Sequence, residues 1–249
     1  MGIIYDDELR FADAIREYQK ALELEPDSSY VHTRLGADYI LAREDKKAVE
    51  ELVTAKSLDT SDTRPRFLLA VIYTSLGRFE DARREYEEVL LLEPESLWAL
   101  GSLADILVLQ KKLDEAAGVY EKMLKAHRDS SVLHFNLGAI YEQLKQKEDA
   151  ARQFRETIRL DPDFADAYNY LGYMFAEDGV NLDEAEALIK KALELEPANG
   201  AFLDSLGWVY FKKGMFGDAE REIERAIKSL PDDPTILDHR EKVKEKLKK

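Results

Sequence analysis

Seven alanines, Ala14, Ala48, Ala82, Ala116, Ala150, Ala185 and Ala219, fall at intervals of 34, 34, 34, 34, 35 and 34 residues. One supersecondary unit is therefore written seven times, and a period of this length means stacked repeats rather than a single globular core. The prolines keep the same beat, because Pro26, Pro94, Pro162, Pro197 and Pro231 are separated by one or two periods each time.

The residue type at each phase of the period has a packing reason. Twelve residues before the alanine lies a small residue, Gly36, Ala70, Ala104, Gly138 or Gly207, where a larger side chain would hold two helices apart. In the sixth unit, one residue longer, Gly172 takes this place. Three residues after it comes a large one, Tyr39, Tyr73, Leu107, Tyr141, Phe175 or Tyr210. Four residues after the alanine comes another, Tyr18, Leu52, Tyr86, Tyr120, Phe154, Ile189 or Ile223. Small facing large is how close-packed layers interlock. Leu35, Leu69, Leu103, Leu137, Leu171 and Leu206 lie four residues before the first large position, which is helical spacing. The second half of the unit opens on acids, as in Phe79-Glu80-Asp81-Ala82, Leu113-Asp114-Glu115-Ala116 and Leu182-Asp183-Glu184-Ala185, where a helix dipole favours negative charge. It closes on proline, which has no N–H to continue a helix. Each unit thus reads as helix, short turn, helix, with Gly77, Gly179 and Gly214 in the turns.

With these phases the chain resembles the tetratricopeptide repeat family, whose unit is about 34 residues with leucine, glycine, tyrosine, alanine, phenylalanine, alanine and proline in fixed order. The resemblance implies an all-α, right-handed superhelical solenoid. Its repeats would run 1–28, 29–62, 63–96, 97–130, 131–164, 165–199 and 200–233, with 234–249 as a capping helix. Thr60 and Arg128 stand where proline is expected, and Val89, Met123 and Thr157 where a late alanine is expected. These departures are expected to weaken single helix ends and to leave the register intact. Gly2 and Tyr5 sit at the small and large phases, so the first unit lacks most of its first helix. That makes a fragment of a longer protein the expectation, and it makes self-association through the incomplete first repeat a candidate.

The formal charge of -15 sets the class of partner. Nucleic-acid binding needs clustered Lys and Arg against phosphates, and only Arg240 to Lys249, with six basic and two acidic residues, departs from the acidic field. No nucleic-acid partner is expected. No apolar run approaches the roughly 18 residues of a membrane span. The absence of cysteine excludes disulfides and thiolate metal sites while leaving the compartment open, cytoplasmic or, after removal of an upstream signal, periplasmic or lipid-anchored. The block Phe202-Leu203-Asp204-Ser205-Leu206-Gly207-Trp208-Val209-Tyr210, followed by Leu230-Pro231-Asp232-Asp233-Pro234, resembles bacterial tetratricopeptide proteins, several of them envelope lipoproteins.

No catalytic residue, metal ligand set or cofactor site is expected. His32, His127, His134 and His239 lack ligand spacing, and His32 and His134 share a repeat phase, which marks them as framework residues. No glycine-rich phosphate loop or nucleophile motif is present. What the family resemblance implies instead is a concave groove lined by positions 2, 5, 6 and 9 of each unit. Mapped onto this sequence, the peptide-binding candidates are Tyr30, Arg34, Arg64, Phe67, Val71, Trp98 and Asp105, then Phe135, Asn136, Asp166, Asn169, Tyr170, Tyr173, Asp204 and Trp208. Rings of this kind either bind or fill space between first helices, and both readings stand. Arg34 and Arg64 lie early and Asp105, Asp166 and Asp204 late, so a ligand acidic toward the first units and basic toward the last would be complementary. The carboxylate clamp for chaperone tails and the asparagine ladder of O-GlcNAc transferase are not supplied, since Asn136 and Arg64 are isolated matches. The expected function is a non-catalytic protein–protein interaction scaffold that takes an extended peptide or a partner helix. The alternatives are a substrate-presenting or regulatory segment of a larger enzyme, or a self-assembling module.

Overall fold

The computed structural model describes residues 11–248, and all regular structure among them is α-helical. The helices are α1 (Phe11–Leu24), α2 (Ser29–Leu41), α3 (Asp45–Leu58), α4 (Thr63–Ser75), α5 (Phe79–Leu92), α6 (Leu97–Leu109) and α7 (Leu113–Ala126). They continue as α8 (Ser131–Gln143), α9 (Lys147–Leu160), α10 (Ala165–Asp178), α11 (Leu182–Leu195), α12 (Gly200–Lys212), α13 (Phe216–Ser229) and α14 (Pro234–Leu247). Gly2 and Tyr5, on which the expectation of self-association rests, lie outside the described residues.

The chain divides into two compact units, one ending at Met123 and the other beginning at Leu124. In the first, α2 packs on α3 and α4 on α5, each pair meets its neighbour through α3 against α4, and α2 also touches α4. In the second, α8 packs on α9, α10 on α11 and α12 on α13, with α10 also against α12 and α12 against α14. In these contacts α2, α10 and α12 each meet both their own second helix and the next helix of the first-helix row, as expected of an all-α helical repeat fold.

The small phase is where paired helices close. A β-carbon added to Gly36 would lie 2.6 Å from Leu52 Cγ, one on Gly138 2.8 Å from the Phe154 ring, one on Gly172 2.7 Å from Ile189 Cγ1, and one on Gly207 2.6 Å from Ile223 Cγ1. All four obstacles are the large residues four positions after the alanine. The seven alanines of the repeat are themselves completely buried. The departures at the late-alanine phase are absorbed in the core: Val89, Met123 and Thr157 are buried, and the Thr157 hydroxyl donates to the Gln153 and Ser131 carbonyls at 3.1 and 3.3 Å. The helix ends at Thr60 and Arg128 are not displaced, because α3 stops at Leu58 just as α1 stops at Leu24, one period earlier.

One turn conformation recurs at every first-to-second connection among the described residues. Arg43, Gly77, Lys111, Lys145, Gly179 and Gly214 all have positive φ, from 59° to 78°. The next amide reaches back to the carbonyl of the large phase residue, Glu44 to Tyr39, Arg78 to Tyr73, Lys112 to Leu107, Gln146 to Tyr141 and Met215 to Tyr210, each at 2.8 Å, and Val180 to Phe175 at 3.1 Å. This is a Schellman cap, and it needs a left-handed residue whatever the side chain. Glycine was anticipated at three of the six turns; arginine or lysine adopts the same strained conformation at the others. The extra residue of the sixth unit lies after Gly179, in the connection to α11, where Asn181 stands at φ 49°.

His32 and His134 are framework residues. His32 bonds Glu51 through Nδ1 at 2.6 Å and the Pro26 carbonyl through Nε2 at 2.9 Å. His134 repeats both contacts with Gln153 and the Arg128 carbonyl, at the same distances.

Two stability changes test these assignments by urea denaturation followed by circular dichroism. Gly172→Ala is expected to destabilise by about 1–3 kcal/mol, because the new methyl meets Ile189 Cγ1 and the Ala185 carbonyl at 3.0 Å. An unchanged midpoint would remove the close-approach assignment. Lys111→Gly is expected to raise stability by about 0.5–1 kcal/mol through relief of left-handed strain, part of which the greater freedom of glycine in the unfolded chain offsets.

Candidate functional site

On each first helix, positions 2, 5, 6 and 9 fall on the face left over once the leucine and small phases are buried against the second helix. In the first unit this face encloses a hollow of about 580 Å³. Tyr30, Arg34, Arg64, Phe67 and Trp98 all line it, together with Thr63 and Glu93, which sequence reasoning did not select. Phe67 packs on Trp98 and on Tyr86, whose ring centroid is 6.2 Å away. Trp98 and Tyr30 nevertheless remain 45% and 44% exposed. The hollow is therefore walled by rings that are anchored on helices yet open to solvent.

The charge in this hollow is more balanced than the arginines suggest. Arg64 grips Asp62 through Nε at 2.9 Å and Nη2 at 2.8 Å, and this bond holds the Asp62 carboxyl below its ordinary range. Arg34 donates to the Tyr18 hydroxyl at 3.3 Å. Glu93 accepts from the Thr63 hydroxyl at 2.7 Å. The expectation of two arginines offered to an acidic ligand is thus corrected for Arg64, whose guanidinium already has a bidentate carboxylate.

In the second unit a larger hollow, about 820 Å³, is lined by Asp166, Asn169, Tyr170, Tyr173 and Asp204. Glu142, Glu177, Asp178 and Asp233 join them. Tyr170, 41% exposed, stands edge-on to Phe135 with centroids 5.2 Å apart. Burial, with Glu177 and Asp204 nearby, raises the Tyr173 hydroxyl above its ordinary range. Burial also raises Asp166, with Glu196 adding to the effect. The extra acids could have been found by continuing the inner stripe one more helical step, which from position 9 reaches position 12 at Glu142 and position 13 at Glu177.

Five candidates line neither hollow. Val71 is at the margin of exposure on α4. Asp105 lies on α6, where burial of its carboxyl raises its pKa. Phe135 is half-buried against Phe154, Phe164 and Tyr170, and Asn136 is half-buried beside it. Trp208 differs most from the expectation of an inward, open ring. It is 5% exposed, stacked on Phe211 and on His239 of α14 at 4.8 and 4.0 Å, and its Nε1 donates to Glu177. Asp204, although at the hollow, is buried and accepts from His239 Nδ1 at 2.9 Å. Both are covered because α14 continues the register: it begins 34 residues after α12, and its His239 packs where the next first helix would. Its small and large phases hold Glu241 and Lys244 instead.

The model of the tetratricopeptide repeat matches residues 67–131 and 135–200, and a second of the same description matches 176–238. The chain belongs to the tetratricopeptide repeat family. Among curated relatives, a TPR repeat-containing protein of Pseudomonas aeruginosa is 28% identical over 194 residues, 74% of this chain and 33% of that protein. A UDP-N-acetylglucosamine–peptide N-acetylglucosaminyltransferase of Giardia intestinalis is 22% identical over 89% of this chain and 16% of its own length. The chain thus spans only a fraction of the curated proteins it matches, about a third of the Pseudomonas one. Among solved structures, the C-terminal part of a TPR repeat-containing protein from Cytophaga hutchinsonii has TM-score 0.77 at 17% identity, covering 96% of this chain and 97% of that one. YrrB, described as a TPR protein with an unusual peptide-binding site, has TM-score 0.60 at 23% identity, covering 78% and 99%. Tetratricopeptide repeats are protein-interaction scaffolds that bind proteins or peptides. No helix among the described residues is long and apolar enough to cross a membrane.

The two kinds of ring separate in a stability measurement. Trp208→Ala is expected to cost about 3–5 kcal/mol as a buried aromatic truncation, whereas Tyr30→Ala is expected to stay within about 1 kcal/mol. Equal losses in urea unfolding would show that the exposed rings are structural too.

Proposed function

We propose that the chain is a non-catalytic scaffold that holds an extended peptide, or a partner helix, in the hollows lined by the inner positions of its first helices. The observation that carries this reading is that Tyr30, Trp98 and Tyr170 stay 41–45% exposed within hollows, although rings of this size are normally covered. Aromatic side chains fixed on helices give large contact area at low entropic cost, the usual composition of binding hot spots. That YrrB is described as having a peptide-binding site supports the same direction.

A second reading, a substrate-presenting segment of a larger enzyme, is favoured by the match to the Giardia transferase, of which the aligned part is a small fraction. A catalytic domain encoded in the same reading frame would establish it.

The test of the groove reading is selection from a randomised peptide library. The unaltered chain is expected to retain a subset of peptides. Tyr30→Ala, Trp98→Ala and Tyr170→Ala combined are expected to weaken binding of those peptides by at least about tenfold, with the helical spectrum unchanged. Undiminished binding by the triple variant would overturn the assignment.

A further inference from the structure

The hollow of the second unit is chemically unlike that of the first. Six carboxylates line it, from Glu142, Asp166, Glu177, Asp178, Asp204 and Asp233, against two lysines, Lys145 and Lys147. Four of the six have an identified role within the fold. Asp178 pairs with Lys147, Asp204 is held by His239, and Asp233 caps α14 by accepting from the Thr235 and Ile236 amides at 2.9 and 3.1 Å. Glu177 accepts a hydrogen bond from the Trp208 indole N–H, a neutral donor that leaves the negative charge in place. Glu142 and Asp166 serve none of these purposes. Neither has a hydrogen bond or ion pair, and both are solvent-facing at the wall of a hollow.

The Asn169 side chain also lines this wall, although its amide oxygen is fully buried. The helix N-termini that border the hollow do not compete for the carboxylates, since Asn199 caps α12 and Asp233 caps α14 with their own side chains. Beside these groups stands the Tyr170 ring, its orientation fixed against Phe135 and Phe154 at 5.2 and 5.6 Å.

We propose that the second-unit hollow is a receptor for a cationic side chain, arginine or lysine, of the bound peptide, with Glu142 and Asp166 as its counter-charges and Tyr170 as the platform for its stem. This rests on the peptide-binding reading above and names the residue type that the hollow selects. A guanidinium has five N–H donors and a flat apolar face, so it can answer two carboxylates while lying on a ring. An ammonium shares the charge and the attraction to the ring face. The raised pKa of Asp166 agrees, because its carboxylate is held in a partly desolvated place without a cation to offset the cost.

The experiment compares pools selected from one randomised peptide library by three proteins: the unaltered chain, Glu142→Gln with Asp166→Asn, and a control, Glu88→Gln with Glu95→Gln. The control removes the same charge from exposed positions of the first unit. The unaltered chain and the control are expected to enrich arginine and lysine at one peptide position on the order of tenfold over the input. The Glu142/Asp166 variant is expected to bring that enrichment down to the input level while still recovering peptides. Circular dichroism melts of all three establish that the substitutions leave the helices intact. Persistence of enrichment in the Glu142/Asp166 variant would overturn the proposal. So would its equal loss in the control, which would assign it to the general acidic field, or the absence of basic enrichment in the unaltered chain. Recovery of no peptide by the unaltered chain would instead overturn the groove reading itself, and this inference with it.

Discussion

The missing β-carbon at Gly36, Gly138, Gly172 and Gly207 sets the distance between paired helices, and that distance sets what the other faces can do. With less than 3 Å between an imagined methyl and Leu52, Phe154, Ile189 or Ile223, the two helix backbones stand as close as the large side chain between them allows. Where alanine replaces glycine, at Ala70 and Ala104, the partner phase holds Tyr86 and Tyr120. The leucine phase fills the remainder of the seam, since Leu35, Leu69, Leu137 and Leu171 are almost wholly buried. One face of each first helix is consumed by this contact and another by the neighbouring first helix. The stripe of positions 2, 5, 6 and 9 is what is left, and most of its side chains differ from unit to unit, although Trp208 and Asp204 are drawn into the seam with His239 of α14.

The helices could be read from the sequence because these constraints are local and repeated. A single glycine or tyrosine carries little information, but the same residue class at the same phase in six or seven copies leaves few alternatives to paired helices. The turns were legible only in part. Gly77, Gly179 and Gly214 announced a left-handed residue, while Arg43, Lys111 and Lys145 gave no sign of it. There the conformation is imposed from outside the residue, by the bond from the following amide to the carbonyl of Tyr39, Leu107 or Tyr141. The repeat register itself carried the information, since all six positions share one phase, allowing for the single inserted residue before Gly214.

The candidate site was legible in its positions and less so in its chemistry. The mapped stripe does reach both hollows, but what each side chain offers depends on neighbours that lie outside the stripe. Asp62, the cap of α4, takes the guanidinium of Arg64. His239, in a helix whose tail is mostly charged, takes Asp204 and covers Trp208. Such pairings join residues 2 and 35 positions apart, and only the second follows the repeat closely enough to have been anticipated, as a contact between successive first helices.

Ion pairs between successive second helices show how the acidic surplus is distributed. Lys56 reaches Glu85 at 2.5 Å, Arg83 reaches Glu115 at 3.0 Å and Arg155 reaches Glu184 at 3.1 Å, each about one period apart. Lys56–Glu85 is partly buried; the more exposed pairs contribute little stability, about 0–1 kcal/mol each. Their effect is on where charge remains: basic residues are drawn to the outer helices to match acids already favoured at those helix starts. Carboxylates on the inner stripe are then left without such partners, and Glu142 and Asp166 are two of them. An inner surface that keeps negative charge beside open rings, on helices whose spacing is fixed by glycine, is rigid in shape and unsatisfied in charge. Rigidity lowers the cost of ordering on binding, and unpaired charge confers selectivity for an opposite one.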